Sequence, residues 1–326
     1  MSLLTKASLV MTPNAIKSNK VYSIIPSNGN GDLTFTRDTS ATQINSLGNV
    51  ENVLTTIPRL NYDTVGGCPS LLLEPQRMNR LLNSAVVVTQ TIATTGVACT
   101  VSFYGTGTIV FSGTYIGTLV GTGVNNRVSL TFTPTTGSLI LTVTGSVTKG
   151  QLETGAYPTS YIPTTTTALT RNADTFTRNN IYTNGLITSA GGTWFIELNN
   201  NIAYIRDASV NSLYIDTSVN GLTNGFSIKH VEGGTSRRLV IVKIIGSSSS
   251  IFHQTLTDIV KIAIKWNGTT ADVFVNGVKV VSATAFTTTA MEFLSGNAVD
   301  VPKYIKSTML FPTPLTDTEM TALTTL

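Results

Sequence analysis

The chain is short of charge, cysteine, histidine and long hydrophobic runs, and each shortage closes off a class of protein. Charged residues make up 12% of the 326, against about 25% in typical soluble domains. Cys68 and Cys99 are the only two cysteines, too few for a structural zinc site or a disulfide framework. They read as two reduced, partly buried thiols. The two histidines, His230 and His253, read as structural or solvated, because neither is accompanied by a nucleophile in a recognisable turn. No Gly-x-x-x-x-Gly-Lys-Ser/Thr loop, His-Glu-x-x-His or Gly-x-Ser-x-Gly elbow occurs. No metal and no cofactor are expected. Mean hydropathy is +0.20, yet the longest apolar runs, such as Leu239 to Ile245, are short and broken by Lys243. None reaches the roughly 20 residues a spanning helix needs, so no membrane partner is expected. The N-terminus carries Lys6 inside its apolar stretch and no clean small-residue cleavage site, which reads as no signal peptide. The net charge of +4 comes from 21 dispersed basic residues against 17 acids. A nucleic-acid binder would show a basic stripe with interleaved aromatics, so no nucleic-acid partner is expected.

Threonine, serine, asparagine and the 27 glycines supply the polarity that charge does not, and they favour strands and turns. The composition is that of an all-β chain. A low surface charge also suits a subunit held in an assembly better than a free monomer, which normally keeps a charged surface for solubility.

Three stretches follow one another. Residues 1–80 hold short extended pieces between turn clusters such as Ser27-Asn28-Gly29-Asn30-Gly31 and have little periodicity. Such a segment folds against something else, either its own downstream domains or a neighbouring subunit. Residues 81–165 carry many closely spaced short strands, as in a sandwich or jelly roll. In Asn126 to Thr133, Val128, Leu130 and Phe132 alternate with Ser129, Thr131 and Thr133, giving one packed and one wet face. Thr164 to Thr170 is a linker. Residues 171–326 contain Asn267-Gly268 and Asn276-Gly277 between alternating strands, which predicts a three-strand meander turning at residues that tolerate positive φ. Ile262, Ile264 and Trp266 share one face of it. Thr316 and Glu319 form a predicted capping box, opening a short helix whose stripe is Met320 and Leu323 and which packs on the sandwich edge.

The block Leu33 to Arg80 resembles one found near the start of tailed-bacteriophage virion proteins. The matching phrases are Phe35-Thr36-Arg37, Ala41-Thr42, Ile44-Asn45, Gly48, Pro58-Arg59-Leu60-Asn61-Tyr62 and Cys68 to Arg77. In those proteins a small carbohydrate-module-like sandwich follows, and Gln151 to Thr165 resembles its closing phrase. The segment around Trp266-Asn267-Gly268 and Phe274-Val275-Asn276-Gly277, with Gly191 to Ile196 and Leu315 to Leu323, resembles the laminin-G-like and concanavalin A-like sandwich. The resemblance implies an all-β chain: an irregular N-terminal virion-attachment segment (1–80), a jelly-roll-like β-sandwich (81–165) and a concanavalin A-like β-sandwich (171–326).

What the resemblance implies for function is a non-enzymatic structural protein on the surface of a phage particle, assembled in the host cytoplasm. It would be a tail fibre or receptor-binding adhesin for host-surface glycan, or a capsid decoration protein, head fibre or spike. Its partners would be other virion proteins through the N-terminal segment and copies of itself, with a trimer as one form. Two other classes stand beside it. A capsular polysaccharide depolymerase needs two carboxylates facing one sugar ring, but Glu197 stands alone and Asp207 and Asp216 fall in different strands or loops. A cellular lectin or adhesin would ordinarily carry a secretion signal. For sugar binding the candidates are Tyr204, Arg206, Tyr214 and Asp216. If Leu213 and Ile215 point inward, alternation sends Tyr214 and Asp216 outward, and an exposed tyrosine beside a carboxylate suits a hydroxyl-rich ligand. Trp194 and Trp266 occupy positions that the resemblance assigns to the core.

Overall fold

The computed structural model describes residues 2–63, 65–199, 213–218, 223–233, 236–255, 259–287, 289–297 and 302–326. The chain is all-β. It forms two compact units: residues 1–37, 56–75 and 173–326 make unit one, and residues 38–55 and 76–172 make unit two. Unit one is the larger β-sandwich, and unit two is the smaller one.

Unit one has two antiparallel sheets among the described residues. The eight-stranded sheet runs, edge to edge, Val278–Ala285, Thr270–Val275, Ile259–Asn267, Gly191–Asn199, Lys303–Phe311, Ser70–Leu73 and Arg59–Asn61, with Leu9–Met11 also on Lys303–Phe311. The nine-stranded sheet runs Ile16–Lys17, Lys20–Val21, Leu33–Thr36, Thr175–Asn179, Phe293–Asn297, Leu213–Asp216, Asn224–Gly233, Ser236–Ile245 and Ser247–Thr255. Their facing sides close one core. Trp194, Ile196, Ile262, Ile264 and Trp266 come from the first sheet, and Phe35, Phe176, Leu213, Phe226 and Ile228 from the second. Both tryptophans are core residues, 1% exposed.

The expected meander is present, but its two turns work differently. Asn276 and Gly277 both take positive φ, 47° and 82°, as a tight hairpin of matching twist requires. Asn267 instead uses its side chain, whose Oδ1 accepts from the amides of Thr269 and Thr270 at 2.9 and 2.8 Å, an Asx turn.

The capping box is formed as expected. The Glu319 amide donates to the Thr316 hydroxyl at 3.3 Å, and the Thr316 amide donates to Glu319 at 3.0 Å. The helix Asp317–Thr324 lies on a sheet face, not on an edge. Met320 packs with Phe195, Ala263, Phe274, Phe311 and Leu315 on the side of the eight-stranded sheet away from the main core. That face is apolar enough to need a cover of its own.

The N-terminal eighty residues are not a body apart. Residues 1–37 and 56–75 belong to unit one, and 38–55 and 76–80 to unit two. Ser70–Leu73 is buried at every position, and a strand covered on both sides shows no alternation. That is why this region reads as irregular in sequence.

Residues of its motif phrases meet inside the fold. Arg37 donates to Asp174 at 2.9 Å, Arg59 donates to Glu74 at 2.6 Å and also to Asp174, and the Glu74 amide donates to Asp174 at 2.8 Å. The four side chains are at most 2% exposed. Two arginines and two carboxylates cancel. Burial opposes the Arg59 charge, but Asp174 and Glu74 more than offset it and raise its pKa.

Unit two packs a four-stranded sheet, Gln90–Thr95, Thr136–Thr144, Thr108–Gly113 and Gly117–Val120, against a three-stranded one, Gly123–Phe132, Cys99–Gly105 and Val147–Thr154. Val101, Phe103 and Leu152 meet Ile109, Phe111, Leu139 and Leu141 between them. Two further strand pairs complete it, Arg77–Asn79 with Leu169–Arg171 and Ala41–Ile44 with Val50–Val53. Asn79 is fully buried and uses both ends of its amide: Nδ2 donates to Gly150 and Ile162, and Oδ1 accepts from Leu81 and Leu152. The phrase that closes the sandwich is held similarly, with Gln151 and Glu153 bonded to Thr159. Cys99 is buried, and burial pushes its thiol up; Cys68 is exposed, not partly buried.

Candidate functional site

The sequence places candidate sugar-binding residues around the strand Leu213–Asp216, sixth of nine in the larger sheet of unit one. Tyr204 and Arg206 lie outside the described residues. Leu213 and Ile215 enter the core as expected, which sends Tyr214 and Asp216 to the opposite face. They are not exposed there: Tyr214 is 5% and Asp216 0% accessible. Alternation sets the side but not whether that side is covered. This strand lies within the sheet, and Val242 and Ile244 make a second buried apolar pair on the same face.

Strand pairing identifies the neighbours that a linear reading missed. Thr34 pairs with Thr177, Thr177 with Ser295, Ser295 with Tyr214, and Tyr214 with Ser227. Paired residues in antiparallel strands point the same way, so five hydroxyls form one row across five strands. The row is open at Thr34 and closes toward Ser295 and Ser227, which are 2% and 0% exposed. Asn297 and Lys229 alternate onto the same face.

Electrostatics on this face follow from burial. The Tyr214 phenol is raised above its usual value by burial, partly offset by its bond to Ser295 and reinforced by Asp216. Lys229 is held below the usual lysine range by burial. One Asp216 oxygen organises its own turn, accepting from the Ser218 amide at 2.9 Å and from the Thr223 and Asn224 amides at 3.3 Å. Its Oδ2, like Asn297 Oδ1, is buried with no hydrogen-bond donor among the described residues. A row of hydroxyls is matched chemically by a polyol only at its open end, at Thr34 and Thr177, because the two unbonded acceptors are out of a ligand's reach.

The interior carboxylates have protein partners. Glu74 and Asp174 face arginines, Glu153 faces Gln151 and Thr159, Asp32 faces Ser23, and Asp216 its turn. Glu197 accepts from the Ser307 hydroxyl at 3.3 Å. Among the described residues no group of three or more His, Cys, Asp or Glu side chains is placed to hold a metal. The side chains of His230 and His253 lie outside what is described.

No protein-family model matches the chain, and no curated protein matches it. Solved structures show partial likeness. Domain 4 of AbnA, a GH43 extracellular arabinanase from Geobacillus stearothermophilus in complex with arabinotriose, is 14% identical with a TM-score of 0.35, over 47% of this chain and 73% of that one. The CBM40 of Ruminococcus gnavus IT-sialidase bound to α2,3 sialyllactose is 13% identical with a TM-score of 0.31, over 41% and 83%. The binding domain of botulinum neurotoxin DC in complex with SialylT is 12% identical with a TM-score of 0.32, over 46% and 39%. The class of this chain, an all-β protein of two sandwiches, rests on its own strand pairings.

Proposed function

We propose that this chain is a non-catalytic structural protein displayed on a bacteriophage particle, a tail fibre or receptor-binding adhesin that holds host-surface glycan on the outer face of the nine-stranded sheet. The virion reading rests on the block Leu33 to Arg80, whose resemblance is to tailed-phage structural proteins. The binding reading rests on one observation: five hydroxyls, those of Thr34, Thr177, Ser295, Tyr214 and Ser227, stand in register across that face, and the row opens to solvent at Thr34. Sugar hydroxyls can exchange hydrogen bonds with the open end of such a row. Adhesion is favoured over depolymerisation because the interior carboxylates are already bonded to arginines, amides and hydroxyls.

The motif residues Arg37, Arg59 and Glu74 are interior, so docking onto another virion protein falls to exposed parts of the chain. Self-association, including a trimer, belongs to the same proposal. Immunogold electron microscopy of particles tests the location, with label expected on the tail. Label confined to the capsid would replace the tail-fibre reading with a head fibre or spike, and particles free of label would end the virion reading. Binding of the purified chain to host polysaccharide without release of reducing ends is the expected biochemical result. New reducing ends would make it a depolymerase.

A further inference from the structure

The three-stranded sheet of unit two has an outer face of its own. Val101 and Phe103 point into the core, so Thr100, Ser102 and Tyr104 point away from it. Tyr104 pairs with Arg127 on one side and Thr148 on the other. Arg127 Cζ lies 6.0 Å and Lys149 Nζ 5.5 Å from the centre of the Tyr104 ring, and Arg127 donates to the Ser102 hydroxyl at 2.8 Å. All three of Tyr104, Arg127 and Lys149 are partly accessible.

Two properties set this cluster apart from ordinary surface charge. Neither cation has a carboxylate in ion-pair reach among the described residues, and Arg127 Nε is buried without an acceptor. The nearest acid in strand register, Glu153, is fully buried and bonded to Gln151 and Thr159. The second property is backbone. The register shifts between Ser102 and Tyr104, so the strand Val147–Thr154 bulges there. The bulge residue is Lys149, at a φ of 47°, where glycine is the default. Gly150 next to it is needed for another reason, since a Cβ there would meet Val87 at 2.3 Å. A lysine is therefore kept in a left-handed conformation that brings its ammonium over Tyr104.

We infer that the Tyr104–Arg127–Lys149 cluster is a binding site for an acidic saccharide, with the sugar ring on the tyrosine and its carboxylate taken by a flanking cation. Arg127 as a fork and Lys149 as a point charge flank the ring from opposite strands, and either matches a carboxylate. The flanking Ser129, Thr131 and Thr148 are at least partly accessible and offer hydroxyl contacts along the same sheet. Two cations on one ring are too few for a nucleic-acid track, which needs a run of phosphate contacts. The site shares no residue with the nine-stranded face and stands whether or not that face binds sugar.

Isothermal titration of the full chain with a glucuronate-containing tetrasaccharide, its carboxyl-reduced neutral counterpart and a thymidine oligonucleotide tests the inference. The acidic tetrasaccharide is expected to bind at least about tenfold more tightly than the neutral one, as loss of a charge-assisted contact implies. Arg127→Gln and Lys149→Gly should each weaken it by about tenfold. Lys149→Gly relieves the left-handed backbone, so its thermal midpoint should hold or rise while binding falls. Tyr214→Phe should leave this binding unchanged, which separates the site from the proposed one in unit one. Equal binding of the neutral sugar, tighter binding of the oligonucleotide, no binding of the acidic sugar, or full affinity in Lys149→Gly would each overturn the inference.

Discussion

Asp174 ties three separate segments of unit one together. It accepts from Arg37, Arg59 and the Glu74 amide at a point sealed from solvent. Replacing it by asparagine leaves a buried net positive charge, and breaking a buried pair in this way costs about 3–5 kcal/mol. Urea denaturation of Asp174→Asn should show that loss. The two Asn-Gly turns offer a sharper contrast at single positions. Gly277 has a φ of +82°, while Gly268 takes no left-handed angle and has open space where a Cβ would sit. Gly277→Ala should therefore cost about 1 kcal/mol, and Gly268→Ala should be neutral or stabilising by up to about 0.5 kcal/mol. Equal effects at the two sites in thermal melts would contradict the assigned turn types.

The C-terminal helix is held from outside as well as by its own cap. Glu319 bonds to Lys6 and to Thr316, and these contacts draw its carboxyl down to about 2. Its folded pKa is thus below the unfolded value of about 4.3. The stability it adds is complete above that value and is lost as pH falls toward 2. Glu319→Gln keeps a capping-box side chain but loses the charge facing Lys6, so the gap in denaturant midpoint between wild type and variant should be present at pH 6 and vanish near pH 2. This helix and the Ile259–Asn267 meander were legible because their determinants are local: a capping box, an Asn-Gly pair and a period of two. The candidate sugar face was legible only in part. Alternation placed Tyr214 and Asp216 on the correct side, but the cover over that side and the partners Ser295, Thr177 and Thr34 depend on pairing with distant strands. Lys149 gave no local signal, because a Lys-Gly pair assigns the left-handed residue to glycine.

The division into units departs most from the linear reading. The chain passes between the two units four times, near residues 37, 55, 75 and 172. A fragment 171–326 keeps Asp174 but loses Arg37, Arg59 and Glu74, along with the strands Leu33–Thr36 and Ser70–Leu73. A fragment 81–165 loses Asn79, which ties Gly150 to Ile162. Neither should give a dispersed amide NMR spectrum, whereas the full chain should. A well-dispersed spectrum from 171–326 alone would show that the early strands are dispensable.

The Asp174 cluster also bears on how a gene with this layout can change. Crossing over at codon 170 would join an aspartate from one parent to arginines from the other, and both parents must agree on that buried pairing for the hybrid to fold. New surface specificity is then reached more readily by point substitution on the exposed strand faces than by exchange of whole modules. The early strands and the last sandwich form one unit and would have to change together.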